Sequence, residues 1–155
     1  MSPSTTSLHQ IVSYEIQKRL TATCGNEYQI FYAPIDVILS ETEVRQPDIV
    51  MIHRSRIEIV TMKGIEGASD LVIEILTPST MKKDKIYKLE TYPRFQIPEY
   101  WIVDPKNGSL EQFVLNGQSS YVLHDLYVED DEITSSQVSA FRFLCGRLWK
   151  WFPTR

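Results

Sequence analysis

The sequence predicts an α/β fold with a mixed β-sheet flanked by helices, and three features of the 155-residue chain carry that expectation. Short apolar runs at Ile49–Ile52, at Leu71–Leu76 around Glu74, and within I-P-E-Y-W-I-V-D-P (Ile97–Pro105) have the character of strands buried on both faces. Helical spacing of apolar residues marks Leu8–Thr23 and a second stretch between Ser79 and Pro93. That second stretch lies between two buried runs, and strand, helix, strand is a crossover that makes part of the sheet parallel.

The elements follow in order. Ser4–Ser7 offers N-caps, after which Leu8, Ile11, Val12, Ile16 and Leu20 recur at helical spacing until Gly25 supplies a stop. His9 and Gln10 fall on the first turn, where a surface or capping role is expected. Tyr28–Leu39 is rich in aromatic and β-branched residues and broken by Pro34, so it reads as one kinked strand or two short ones, with Asp36 facing solvent. A polar turn, Ser40–Arg45, leads to Q-P-D and the Ile49–Ile52 strand, with Pro47 at the strand mouth, where a missing N–H is harmless. Arg54–Ser69 reads as a hydrophilic insert. Pro78 and Ser79 open the second helix, with Ser79 or Thr80 as N-cap, and Pro93 ends or kinks it. Ser109–Leu115, Asn116-Gly117 and Gln118–His124 read as a β-hairpin with a two-residue turn. The acidic run Glu129–Glu132 is a solvated loop. Phe141, Phe143, Leu148, Trp149, Trp151 and Phe152 form an aromatic tail for which packing on the chain's own core is expected, with a homodimer interface as the alternative. No repeat or linker composition divides the chain, so a single domain over residues 1–155 is expected.

Composition narrows the function. No apolar run approaches the ~20 residues of a spanning helix, and the N-terminus lacks the charged and apolar regions of a signal peptide, so a cytoplasmic protein without a membrane partner is expected. The two cysteines, Cys24 and Cys145, are too few and too far apart for a zinc set or a disulfide framework. A net charge of -4 argues against bulk attraction to nucleic acid and leaves only a local basic patch for that purpose.

The residue that needs explaining is Glu74. With a side-chain period of two it points with Val72 and Leu76, inside a run where an apolar residue is expected. A buried carboxylate costs several kcal/mol unless it is paired, hydrogen-bonded or bound to a metal. Asp48, at the start of the neighbouring core strand, is a second carboxylate able to converge with it on one hard divalent cation. The helix that follows carries Lys82, Lys83, Asp84, Lys85 and Lys88, with Ile86, Leu89 and Tyr92 as its apolar side. Three alternatives stand for its charges. They form a solvated face with an Asp84–Lys88 pair worth ~0.2–0.5 kcal/mol, they place lysines over the carboxylates, or Lys88 pairs with Glu74 in a purely structural bridge.

Taken together, Q-P-D at Gln46–Asp48, D-L-V-I-E-I-L-T-P-S-T at Asp70–Thr80, Asp84, Lys88 and Tyr92 on the next helix, and I-P-E-Y-W-I-V-D-P resemble the Uma-type restriction endonucleases of the PD-(D/E)xK nuclease superfamily. The resemblance runs from Ser2, through S-P-S and His9-Gln10, to the hairpin near His124. It implies a restriction-endonuclease-like core, a mixed sheet flanked by helices with a C-terminal β-hairpin. It implies Asp48 and Glu74 as ligands of Mg²⁺, with Mn²⁺ as substitute and the Ile75 backbone carbonyl completing the set. Leu76 occupies the lysine position of E-x-K, and Lys88 matches the lysine that is moved to the following helix in this family. The implied catalytic residues are thus Asp48, Glu74 and Lys88, the implied reaction is metal-assisted phosphodiester hydrolysis, and the partner is DNA, met by Lys82, Lys83 and Lys85. Family members also carry a segment resembling Y-E-L-I-D-G-E before S-P-S, with an acidic residue of the site. This chain starts without it, which sets the alternative expectation of a nuclease-fold protein that no longer cuts and serves as a nucleic-acid-binding or assembly module.

Overall fold

Helix α1 (Ser7–Cys24) opens the fold, capped by Thr6, whose hydroxyl accepts the His9 N–H at 3.1 Å. Val12, Ile16 and Leu20 form its buried stripe, since residues three and four apart share one face. The computed structural model describes residues 6–77, 82–135 and 142–149, with the side chains of Lys82, Lys83, Asp84, Phe143 and Leu144 outside that description.

The strands follow as β1 (Tyr28–Tyr32), β2 (Val37–Ile38), β3 (Val44–Arg45), β4 (Ile49–His53), β5 (Val60–Thr61), β6 (Gly64–Glu66) and β7 (Leu71–Ile75). Helix α2 (Lys82–Arg94) then leads to β8 (Glu99–Asp104), β9 (Ser109–Asn116), β10 (Ser120–Val128), β11 (Glu132–Thr134) and β12 (Arg142–Leu144). Six of them form the main sheet in the order β1-β4-β7-β8-β9-β10. The sheet is mixed: β7 and β8, joined through α2, run parallel, and the other neighbouring strands run antiparallel.

Alternate residues of the same central strands feed two cores, which is why β4, β7 and β8 read as continuous apolar runs. Ile49, Met51, Leu71, Ile73, Trp101 and Val103 pack against α1. Val50, Ile52, Val72, Tyr100 and Ile102 face the other side, with Tyr92 of α2 and Ile97. There the Tyr92 ring meets Tyr100 edge-on, with centroids 5.1 Å apart. Glu99 is fully buried on the α1 side. It accepts hydrogen bonds from Trp101 Nε1, Gln112 Nε2 and Ser135 Oγ.

Several local expectations need correction. The insert at 54–69 is not merely hydrophilic loop. It forms a 3-10 turn (Arg54–Ile59), then β5 and β6, which join β2 and β3 in a small sheet ordered β3-β2-β6-β5. Its sequence hid this because the strands are two or three residues long and Ile65 alone among them is fully buried. Asp36 is tied into this region, its carboxylate accepting from Gln46 Nε2 at 2.7 Å. The hairpin of β9 and β10 is present, but Asn116 pairs with Ser120, so the loop is residues 117–119 rather than Asn116-Gly117. Nor is it the last element: β11 and β12 pair beyond it. Glu132 of the acidic run belongs to β11, and α2 runs one residue past Pro93. Of the aromatic tail, Leu148 is buried and Trp149 packs on the α1-side core. Phe141, Trp151, Phe152 and the Ser79 or Thr80 cap lie outside the described residues.

Gly64 lets β6 lie close against the chain entering β2. Its φ is +138°, and a Cβ there would stand 2.4 Å from the Asp36 carbonyl oxygen. Gly117 also has positive φ, +72°, but open space around it. Gly64→Ala is therefore expected to destabilise the protein by about 2–3 kcal/mol and Gly117→Ala by about 1 kcal/mol. Urea unfolding of the two variants checks this, and equal losses would show that the Asp36 contact yields without cost.

Candidate active site

The β4–β7 register pairs Ile49 with Ile73, and continued by one residue it sets Asp48 opposite Glu74. The end of β7 holds Asp48 directly: the Ile75 N–H donates to Asp48 Oδ2 at 2.8 Å. In a strand, N–H and C=O of one residue project to the same edge, so the Ile75 carbonyl also faces the Asp48 side. From the other side of the sheet, His9 Nε2 lies 3.0 Å from Asp48 Oδ1.

Glu74 is reached from α2. Lys88 Nζ lies 2.8 Å from Glu74 Oε2, and the Tyr92 hydroxyl donates to the same oxygen at 3.0 Å. Lys88 therefore meets the buried carboxylate, as both the lysine-over-carboxylates and the structural-bridge alternatives require. Burial lifts the Glu74 pKa from the ordinary 4.5 to about 7, and the Asp48 charge adds to the rise, while Lys88 and the Lys88 and Tyr92 hydrogen bonds oppose it. Burial and the Glu74 charge likewise push the Tyr92 phenol well up.

The basic residues expected to meet DNA are not alike. Lys85 Nζ pairs with Glu111 Oε1 of β9 at 2.8 Å. Lys82 and Lys83 stand at the start of α2, and their side chains lie outside the described residues. His9 was expected at the surface or in a cap. It is buried instead, and the signal was available: 9, 12, 16 and 20 share the helical spacing of the core stripe. Tyr92 reads as apolar filling by the same spacing, and only the fold reveals where its hydroxyl points.

Whether a divalent ion fits can be judged from these donors. Among the described residues, no three or more His, Cys, Asp and Glu side chains converge as a metal cage. What converges is two carboxylates and the edge carrying a backbone carbonyl, a set of hard oxygen donors suited to an ion that keeps several of its waters, as Mg²⁺ does. The raised Glu74 pKa shows that Lys88 does not balance the burial and the Asp48 charge, a shortfall that a cation would fill.

Residues 1–143 match the Uma2 family, described as "Putative restriction endonuclease". The chain belongs to the Uma2 family. No curated protein matches it. A crystal structure from Anabaena variabilis, described as "a putative nuclease belonging to DUF820", is similar at a TM-score of 0.79 and 18% identity, over 97% of this chain and 85% of that one. That likeness bears out the mixed α/β fold, a mixed sheet flanked by helices. Restriction-endonuclease-like families generally use divalent metal ions. In this Uma2 member Leu76, two residues after Glu74, packs on the α2-side core, and the amine beside Glu74 comes from Lys88.

Because the folded-state pKa of Glu74 lies above its unfolded value, the native state binds more protons between about pH 4.5 and 7. The associated stability is fully present below pH 4.5 and is lost as pH rises through about 7, a total of roughly 3 kcal/mol. In EDTA, wild-type stability is expected to fall over this window and Glu74→Gln to flatten the fall. Lys88→Met removes an opposing charge, holds the carboxyl protonated further up the scale, and moves the loss to higher pH. Urea unfolding from pH 5 to 9 checks all three, and a Glu74→Gln profile that overlays wild type would assign the slope to another group.

Proposed function

We propose that this chain is a metal-dependent endodeoxyribonuclease, one restriction-endonuclease-like domain over residues 1–155, with Mg²⁺ as its ion and Mn²⁺ as substitute. The observation that carries the reading is the pairing of Asp48 and Glu74 at the ends of adjacent central strands, with Lys88 on Glu74 Oε2. Membership of the Uma2 family supports it. Cytoplasmic operation is the companion proposal, supported by two buried cysteines that remain free thiols.

In this mechanism Asp48, Glu74 and the Ile75 carbonyl would hold the ion. When bound, it polarises a phosphate oxygen and lowers the pKa of the attacking water. Lys88, held on Glu74 Oε2, would help orient the water and offset the charge that builds on phosphate. Tyr92 fixes the Glu74 oxygen that Lys88 uses.

DNA contact falls to Lys82, Lys83 and Lys85 at the start of α2, with Lys85 the weaker contributor because it must leave Glu111 to meet a phosphate. Each phosphate contact contributes roughly 0.9 to the slope of log binding against log salt. Lys82→Ser with Lys83→Ser is expected to flatten the slope by nearly 2, and Lys85→Ser by less than either. A binding constant indifferent to salt would remove this helix from the interface.

The decisive experiment pairs stability with cleavage. A ligand that binds only the folded state at about 100 times its Kd stabilises it by roughly 2.7 kcal/mol, which for a chain of this length is roughly 5–10 °C in Tm. Saturating Mn²⁺ is expected to produce that rise, and Asp48→Ala to abolish it together with at least about 100-fold of the cleavage rate. Wild type that binds Mn²⁺ and DNA without cutting would favour the non-cutting nucleic-acid-binding or assembly module. An equal rise in wild type and Asp48→Ala would put the ion elsewhere.

A further inference from the structure

The side chain that touches Asp48 from α1 has no part in the site as assigned so far. His9 is buried to 7% exposure, with its backbone N–H held by Thr6 Oγ1 and its Nε2 at 3.0 Å from Asp48 Oδ1. Since a carboxylate oxygen only accepts, Nε2 is the donor. The other Asp48 oxygen is taken by the Ile75 N–H at 2.8 Å, and the Asp48 carbonyl by the Ala33 N–H at 2.9 Å. Asp48 is thus gripped at both carboxylate oxygens and at its backbone, by α1, β7 and the end of β1. One bond from Ile75 alone leaves the carboxylate free to turn about Oδ2. The second, from a ring anchored to a core helix, removes that rotation.

We propose that His9 is a positioning residue: it fixes the plane of the Asp48 carboxylate so that each oxygen keeps a lone pair directed toward the Glu74 side for the ion. This rests on the nuclease reading. The ring itself contributes no ligand to the ion, since its Nε2 is committed to Asp48. The division of labour is between two layers. Residues on β4 and β7 face the ion, and one residue on the helix beneath sets the angle at which the first of them does so.

The test uses the full chain as wild type, His9→Gln, His9→Asn and His9→Leu. Glutamine offers an amide N–H at about the reach of Nε2, asparagine is too short, and leucine keeps bulk without a donor. Three quantities are read: Mn²⁺ affinity by calorimetry, kcat and KM on duplex DNA, and exchange of the Ile75 amide proton in metal-free protein. Loss of an outer-shell orienting group costs about 10–100-fold in metal affinity or activity. His9→Leu and His9→Asn are expected to lose that much in Mn²⁺ affinity and kcat with KM for DNA unchanged, and to speed Ile75 exchange without metal as its acceptor loosens. His9→Gln restores all three to near wild type. If His9→Leu does not fold, the contrast of glutamine with asparagine carries the test.

Variants that melt lower yet keep wild-type kcat, Mn²⁺ affinity and Ile75 exchange would overturn the proposal and leave His9 as packing. Equal behaviour of the glutamine and asparagine variants would overturn it as well. So would a directly coordinated nitrogen in the electron spin echo spectrum of Mn²⁺-loaded wild type, which would make His9 a ligand. Failure of the nuclease reading looks different, because wild type itself would then bind no Mn²⁺ and cut no DNA, and both would fall together.

Discussion

The fold is organised by the burial of one carboxylate in its central strand. Glu74 sits in β7, with β4 on one side and β8 on the other, between Ile73 and Ile75 along its strand and opposite Ile102 across the β8 pairing. An ion in that setting is several kcal/mol out of place unless charge and hydrogen bonds meet it. The surrounding elements supply them. Helix α2 delivers Lys88 and Tyr92, and Asp48 stands immediately before the strand that pairs with β7. Yet the balance is left incomplete, because the second carboxylate works against the lysine, and the Glu74 pKa stands near 7. A structural ion pair alone gives Asp48 no role beside it, whereas the proposed cation site does.

Glu99 makes the contrast. It is also a buried carboxylate, on the opposite face and near the other end of β8, and it accepts from an indole, an amide and a hydroxyl. Those donors come from β8, β9 and the residue after β11, so the network staples the late strands to the sheet. No second carboxylate is set opposite Glu99 in the strand register, where its partners are Leu71 and Val114. The same chemical group therefore serves two ends. One is enclosed by donors that fix the packing, and the other stands opposite a second carboxylate with a lysine on one of its oxygens.

Helix α2 docks through two ion pairs in one cross-strand row. Glu74 pairs in register with Ile102, and Ile102 with Glu111, so the two glutamates share a face two strands apart. Lys88 and Lys85, three residues apart on one side of the helix, reach one each. The outer pair is half-exposed and contributes little by itself, but it restricts the rotation of α2 and so the place from which Lys88 approaches. The lysine that looked available for phosphate is partly spent on that alignment.

The sequence alone determined the elements whose signals repeat. Period two and continuous apolar composition located β4, β7 and β8, spacing of three and four located both helices, and the strand-helix-strand order required the parallel pair. It also singled out Glu74, because a charge inside an apolar run contradicts its own surroundings. It could not see the small sheet, whose strands are too short for any period, nor the loop length of the β9–β10 hairpin, which register rather than turn composition decides. Above all it could not choose a partner for Lys88 or assign His9. Asp84 lies four residues from Lys88 along the helix, whereas Glu74 is fourteen residues back on a strand, and only the angle at which α2 crosses the sheet brings the lysine to it. His9 and Asp48 are farther apart still along the chain, and their contact exists because α1 packs under the strand ends. Periodicity reports which face of an element is buried. What that face touches is set by the packing of elements distant in sequence, and that is a property of the tertiary structure.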